Sequence, residues 1–219
     1  MTIADPPAGP LEEARASFLR SAAARPWGLL PISVGQYHRM IEEGIVPEDS
    51  TVELLYGMLT LKDRSVIGED PMGHSDLHRI AVGLLAQLAV RINGALRHLQ
   101  VQLPIDVPPD QEPEPDGAVV RGTPRDYSAG APGPGDVYAV IEVAHSSLKR
   151  DREEKLPIYA SAGIAQYVIV NLVDRTVEVY SEPNRARYAA PAVLSTGQTF
   201  RLNLGGGEGL EVGVDELLP

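Results

Sequence analysis

The chain has 219 residues, with 19 Lys plus Arg against 30 Asp plus Glu, a formal net charge of −11 and no Cys. This length and a 43% hydrophobic content fit one core, and the absence of Cys excludes disulfides, thiolate catalysis and Cys-ligated zinc or iron–sulfur centres. No apolar run reaches the length of a membrane span and no basic-then-apolar signal opens the chain, so a soluble cytoplasmic protein is expected; the acidity argues against non-specific nucleic-acid binding.

Residues 1–28 read as an arm, Pro- and Ala-rich at its start, with a short helix over Leu11–Ala24 ended by Pro26. Residues 29–219 read as one α/β domain. Ser33 is placed to cap a helix running to Glu43 and closed by Gly44. Thr51–Tyr56, Gly57 and Met58–Lys62 form a strand–turn–strand pattern, and Asp63–Gly73 a polar loop. A stripe of Leu77, Ile80, Ala81, Leu84, Leu85, Leu88, Ile92, Ala95, Leu96 and Leu99 predicts one helix over Ser75–Leu99.

Val101–Val107 reads as a strand, Pro108–Pro115 as a Pro/acid loop and Gly117–Arg121 as a short strand. Val137–Val143 is apolar apart from Glu142 and so reads as a strand buried on both faces. A charged helix follows over Leu148–Ala162, with Pro157 imposing a kink or a late start. Gln166–Leu172 and Thr176–Ser181 predict a hairpin, with Arg187–Leu194 and Gln198–Leu204 continuing the meander, and Val214–Leu218 a closing turn. The sum is a mixed central sheet flanked by helices.

Three features converge on the middle of the chain. Pro115-Asp116 precedes a strand, Glu142 is a charge inside a buried strand, and Lys155 follows Asp151 by four residues on the next helix. A carboxylate such as Glu142 is costly to bury without a cation, a hydrogen bond or a metal. Two carboxylates on adjacent strands share that difficulty, and a divalent cation with oxygen ligands resolves it. A metal that activates water, with a lysine beside the developing charge, is the equipment of phosphodiester hydrolysis. The residues also have plainer readings. Asp116 would be a turn residue, Glu142 half of a buried ion pair, Asp151–Lys155 a solvated pair and Glu53 a solvent-facing alternation. His74 and His78, spaced i,i+4, lack an adjacent third ligand and are assigned to the helix start; His145 is a turn residue and Gly205–Gly209 a flexible turn.

The ordered set Pro115-Asp116, Ile141-Glu142-Val143, Asp151, Lys155, Tyr159–Ile164 and Gln166–Val170 resembles the Uma family of the PD-(D/E)XK restriction-endonuclease-like superfamily. Val52–Gly57 and Gly73–Ile80 resemble that family's upstream segments, and the resemblance spans about Leu29–Leu218. It implies a restriction-endonuclease-like α/β core. It also implies a Mg²⁺ site, with Mn²⁺ as substitute, on Asp116, Glu142 and the Val143 carbonyl. Lys155 would be the catalytic lysine, carried on the helix because the position two after Glu142 is Ala144. Glu53 would be the additional acid. The family often has Glu-Tyr-Trp where this chain has Gln166-Tyr167-Val168.

The expected activity is metal-dependent cleavage of DNA, and the alternative is an inactive nuclease-like binding or assembly module. A nuclease linked to toxins or mobile elements and working with a partner is a weaker third reading. Double-strand cutting by one-site subunits calls for a homodimer. Lys149, Arg150, Arg152 and Lys155 outnumber Asp151, Glu153 and Glu154 by one beside the site, which offsets the overall acidity and permits weak, salt-sensitive DNA binding.

Overall fold

A computed structural model describes residues 30–47, 52–62 and 76–219. In chain order, α1 (Val34–Glu42) leads to the hairpin β1 (Val52–Leu55) and β2 (Met58–Leu61). Then come α2 (Asp76–Gln87), the single turn α3 (Ala89–Ile92), β3 (Arg97–Val101), β4 (Gly117–Arg121) and β5 (Val137–Ala144). The next segment is helical throughout: α4 (Leu148–Arg150), a π turn over Asp151–Lys155, and α5 (Leu156–Ser161). β6 (Gln166–Asn171), β7 (Thr176–Ser181), β8 (Ala192–Ser195), β9 (Thr199–Gly205) and β10 (Glu208–Gly213) complete the order. The arm, the helix expected at Leu11–Ala24, the loop expected at Asp63–Gly73 and His74 lie outside the described residues.

Strands β3 to β8 form one six-stranded sheet in sequence order. Only β5 and β6 pair in parallel; every other neighbouring pair in this sheet is antiparallel. A parallel pair needs a crossover, which the α4–α5 segment supplies. Alternation along β5 sends its side chains to two layers. Ile141 and Val143 join Val168 and Val170 against Ala81 and Leu85 of α2. Val140 and Ala144 join Tyr167 and Ile169 against Ile158 and Tyr159 of α5. Glu142 therefore faces the crossover helix. β9 and β10 form a separate hairpin that adds Phe200, Leu202 and Val212 to the α2 layer.

Ser33 caps α1 as expected, with Gln36 completing a capping box, and Gly44 follows at φ 69°. Tyr56 (φ 53°) and Gly57 (φ 68°) make the left-handed two-residue turn that matches strand twist. A Cβ on Gly57 would fall 2.2 Å from the Pro31 Cβ, so no larger residue fits there.

The expected helix over Ser75–Leu99 is shorter. α2 ends at Gln87 and α3 at Ile92, after which Asn93 turns extended and its side-chain oxygen accepts the Leu99 N–H at 2.7 Å. Leu99 then sits in β3 opposite Val119. Its place in the stripe satisfied a helical period, but pairing with β4 won. The strand expected at Val101–Val107 lies earlier, because Gln102 adopts φ 50° and residues 102–106 run as a loop. Gln198–Leu204 does not extend the meander: β9 pairs with β10, a strand the sequence patterning did not reveal. No described helix is long and apolar enough to cross a membrane.

Candidate active site

The site forms where β4 begins and β5 ends. Gly117 pairs with Ile141, so Asp116 stands one step further on, beside Glu142. Cross-strand neighbours of this kind hold their Cβ atoms about 5 Å apart. Asp116 Oδ2 accepts the Val143 N–H at 2.8 Å and lies 3.4 Å from His78 Nε2 of α2. Burial alone would raise the Asp116 carboxyl, but His78, the Val143 N–H and Lys62 hold it below its ordinary range. The turn-residue reading of Asp116 is therefore insufficient, since the side chain is buried and engaged across two elements.

Glu142 Oε1 accepts from Lys155 Nζ at 2.9 Å and from the Tyr159 hydroxyl at 2.8 Å. Burial raises the Glu142 carboxyl first, and Asp151, Asp116 and Glu53 add to that. Lys155 opposes them, and the net result is a value pushed up to about 7. Lys155 is also 3.1 Å from Glu53 Oε2. Burial would lower the lysine, yet Glu142, Glu53 and Asp151 outweigh it and hold it above its ordinary value, so it stays an ammonium.

Glu53 does not face solvent. It is buried on β1 and reaches Lys155, while its Oε2 accepts the Glu114 N–H at 3.2 Å. Arg150 lies 3.8 Å from its Oε1 and donates to the Leu61 carbonyl at 3.1 Å, tying the crossover helix to the β1–β2 hairpin. Asp151 accepts from the Ser147 hydroxyl at 2.7 Å, and burial raises its carboxyl against the pull of Lys155. Glu53 Oε1 and Asp151 Oδ1 are buried without a hydrogen-bond partner. Glu142, Glu53 and Asp151 thus share two close cations, Lys155 and Arg150, with the Asp116 carboxylate beside them, and that anionic excess adds to burial in raising the Glu142 value.

Asp151 and Lys155 are not a solvated pair: each is 1% exposed. They bracket the π turn, in which Leu156 N–H reaches back five residues to the Asp151 carbonyl. Pro157 follows directly inside this continuous helical run, where it has no N–H to give a carbonyl of the preceding turn. In place of the kink or late start expected at Pro157, the irregularity there is this π turn in a helix that already begins at Leu148. It also turns the local basic surplus inward, since Lys155 and Arg150 are buried or nearly so and Lys149, 83% exposed, is the surface cation that remains beside Arg152.

His78 and Tyr159 are the contacts that reasoning from the residues missed as site members; the i,i+4 pairing of His74 and His78 was the available signal for the first. His145 is exposed in the turn after β5. Gln166 lies away from the site, donating to the Arg201 carbonyl at 3.0 Å and accepting the Asn203 N–H at 2.8 Å, and so joins β6 to β9.

Among the described residues, no three His, Asp or Glu side chains are gathered into a ready metal cage. The residues nevertheless could hold a hard divalent cation: two carboxylates on adjacent strands, buried carboxylate oxygens without a hydrogen bond nearby and an anionic excess. In an extended residue N–H and C=O point to the same strand edge, so the Val143 carbonyl faces the Asp116 edge as its N–H does.

A family model described as "Uma2: Putative restriction endonuclease" matches residues 35–215. Among solved structures, the chain is similar to a "putative nuclease belonging to DUF820" from Anabaena variabilis ATCC 29413. That likeness has a TM-score of 0.55 and 15% identity over 85% of this chain and 97% of that one, and it bears on the fold. No curated protein matches.

Proposed function

Because the chain belongs to the Uma2 family, on a restriction-endonuclease-like fold, we propose that it hydrolyses DNA phosphodiester bonds with a divalent metal, Mg²⁺ or its substitute Mn²⁺. The observation that carries this reading is the placement of Asp116 beside Glu142 with Lys155 on the same Glu142 oxygen that Tyr159 binds.

Asp116, Glu142 and the Val143 carbonyl would hold the cation. Once bound, it supplies Lewis acidity toward a phosphoryl oxygen and a more acidic water. The protein's part is orientation and charge. Val143 N–H and His78 fix the Asp116 carboxylate, and Tyr159 fixes one oxygen of Glu142. Lys155 brings a permanent positive charge to the point where negative charge grows on the phosphate, and Glu53 holds that lysine from the other side. Cutting both strands of a duplex needs two such sites, which a homodimer would provide.

Plasmid nicking by the purified protein with Mg²⁺ or Mn²⁺, against Asp116→Ala and Glu142→Ala, tests the reading. Activity should vanish in both variants while their circular dichroism stays that of the wild type. Equal activity in all three samples points to a contaminant and removes the proposal.

A second reading has its own support: Lys155 already compensates Glu142 and Glu53. The fold would then serve binding or assembly without turnover. Absence of Mn²⁺ binding dependent on Asp116 and Glu142 would favour it.

A further inference from the structure

A second buried carboxylate lies in the same row of the sheet as Glu142. Glu142 pairs with Ile169 on β6, and Ile169 pairs with Glu178 on β7. Cross-strand neighbours share a face, so both glutamates point at the crossover helix about 10 Å apart. Each is taken by a cation from the π turn: Lys155 binds Glu142, and Arg152 binds Glu178 with its Nε at 3.1 Å and its Nη2 at 2.5 Å. Asn171 Nδ2 at 3.0 Å and the Tyr180 hydroxyl at 2.7 Å complete the shell around Glu178. Burial would raise this carboxyl, but Arg152, Tyr180 and Asn171 hold it low. Four donors on one buried carboxylate are more than a surface ion pair needs.

The segment that these contacts hold is unusual. A π turn is less favourable than an α turn and persists where surroundings fix it. Tyr167 donates to the Asp151 carbonyl at 3.2 Å and Tyr56 to the Glu154 carbonyl at 2.7 Å, so side chains from two other elements cap its backbone. A one-residue change of register would rotate Lys155 about 100° around the helix axis, away from Glu142.

We infer that Arg152 and Glu178 are a positioning pair that holds the π turn in register on the sheet and so sets Lys155 against Glu142 and Glu53. In its bearing on catalysis this rests on Lys155 acting as proposed above; the positioning itself does not.

The full chain has three lysines, Lys62, Lys149 and Lys155, which makes acylation a local readout. Brief treatment with a water-soluble succinimidyl ester, followed by peptide mass spectrometry, reports each one. In the wild type, exposed Lys149 reacts and Lys155, 1% exposed, is protected. Arg152→Ala should raise Lys155 labelling about tenfold through easier local opening, with Lys62 and Lys149 unchanged. Glu178→Gln keeps the side-chain shape, should act in the same direction, and decides the matter if Arg152→Ala does not fold. A lower melting temperature with Lys155 as protected as in the wild type would mean a merely structural pair and overturns the inference. Mn²⁺-dependent nicking on the same samples separates the two ideas. Lys155 release with lost nicking supports both. Lys155 release in variants of a wild type that never nicks overturns the nuclease role of Lys155 and supports the positioning pair.

Discussion

Lys155 Nζ lies 2.9 Å from Glu142 Oε1, and the same ammonium is 3.1 Å from Glu53 Oε2. One cation from the crossover helix thus joins the middle of the main sheet to the separate β1–β2 hairpin. None of the three residues is more than 3% exposed, so water can replace none of them cheaply.

Removing that cation should be expensive. Lys155→Met fills similar space but leaves Glu142 and Glu53 buried without their shared partner, a change of about 3–5 kcal/mol in unfolding free energy at pH 8. Part of the loss should return at pH 5.5, where Glu142 takes up a proton. Urea unfolding at the two pH values measures both effects. A variant as stable as the wild type at pH 8 would show that the ion pair does little for the fold.

Glu142 should give stability a distinctive pH dependence. Its folded value is about 7 and its ordinary value 4.5, so between them the folded chain holds a proton that the unfolded chain releases. The associated stability is full below pH 4.5 and is lost as pH rises through 7, at up to about 1.4 kcal/mol per pH unit. Asp116 and Glu53, whose values are lowered, act oppositely: their contribution is present above the ordinary carboxylate range and is lost as pH falls through their folded values. Glu142→Gln should remove the decline between pH 5 and 7 in urea midpoints and leave the acid limb intact. Parallel curves for the two proteins would refute this.

The parts of the molecule that could be read from the residues share a physical cause. Val137–Val143 announced a central strand because only a strand covered on both faces is so continuously apolar. Glu142 stood out because a charge there demanded compensation, and Lys155 supplies it. Ser33 and Gly57 carried local rules of capping and turn geometry that no tertiary contact overrode. The failures were nonlocal. Leu99 fits a helical stripe and a strand equally, and the choice was made by β4, distant in sequence. Glu53 alternates with Val52 and Leu54 as a solvent-facing residue would, and its burial depends on a lysine 102 positions later. The π turn could be read only as a disturbance at Pro157, since its form depends on Tyr56, Tyr167 and Glu178.

Divalent metal should stabilise the fold and release protons as it binds. A carboxylate near half-protonation at pH 7 must lose its proton to become a ligand. Binding to the folded chain alone adds about 2.7 kcal/mol at a concentration one hundred times Kd. Thermal unfolding with Mn²⁺ should therefore rise for the wild type and stay flat for Asp116→Asn. Calorimetry in two buffers of different ionisation enthalpy should show proton release at pH 7 that Glu142→Gln abolishes. An equal Mn²⁺ shift in the Asp116 variant would place the ion elsewhere.

Gln166 should prove to be a structural residue. It pairs with Ala139, three residues before Glu142 along β5, a distance of about 10 Å. Its amide bridges the Arg201 carbonyl and the Asn203 N–H, so it fastens the β9–β10 hairpin to the sheet. Gln166→Glu loses the donor and sets a carboxylate against the Arg201 carbonyl. We expect about 1–2 kcal/mol of destabilisation and no gain in nicking. Gln166→Ala should cost a similar amount by leaving the Asn203 N–H unmet. The physical reason is direct: an amide can donate and accept at once, a carboxylate can only accept, and this position asks for both. A rise in Mn²⁺ affinity or nicking in Gln166→Glu, with stability unchanged, would instead bring this position into the metal site.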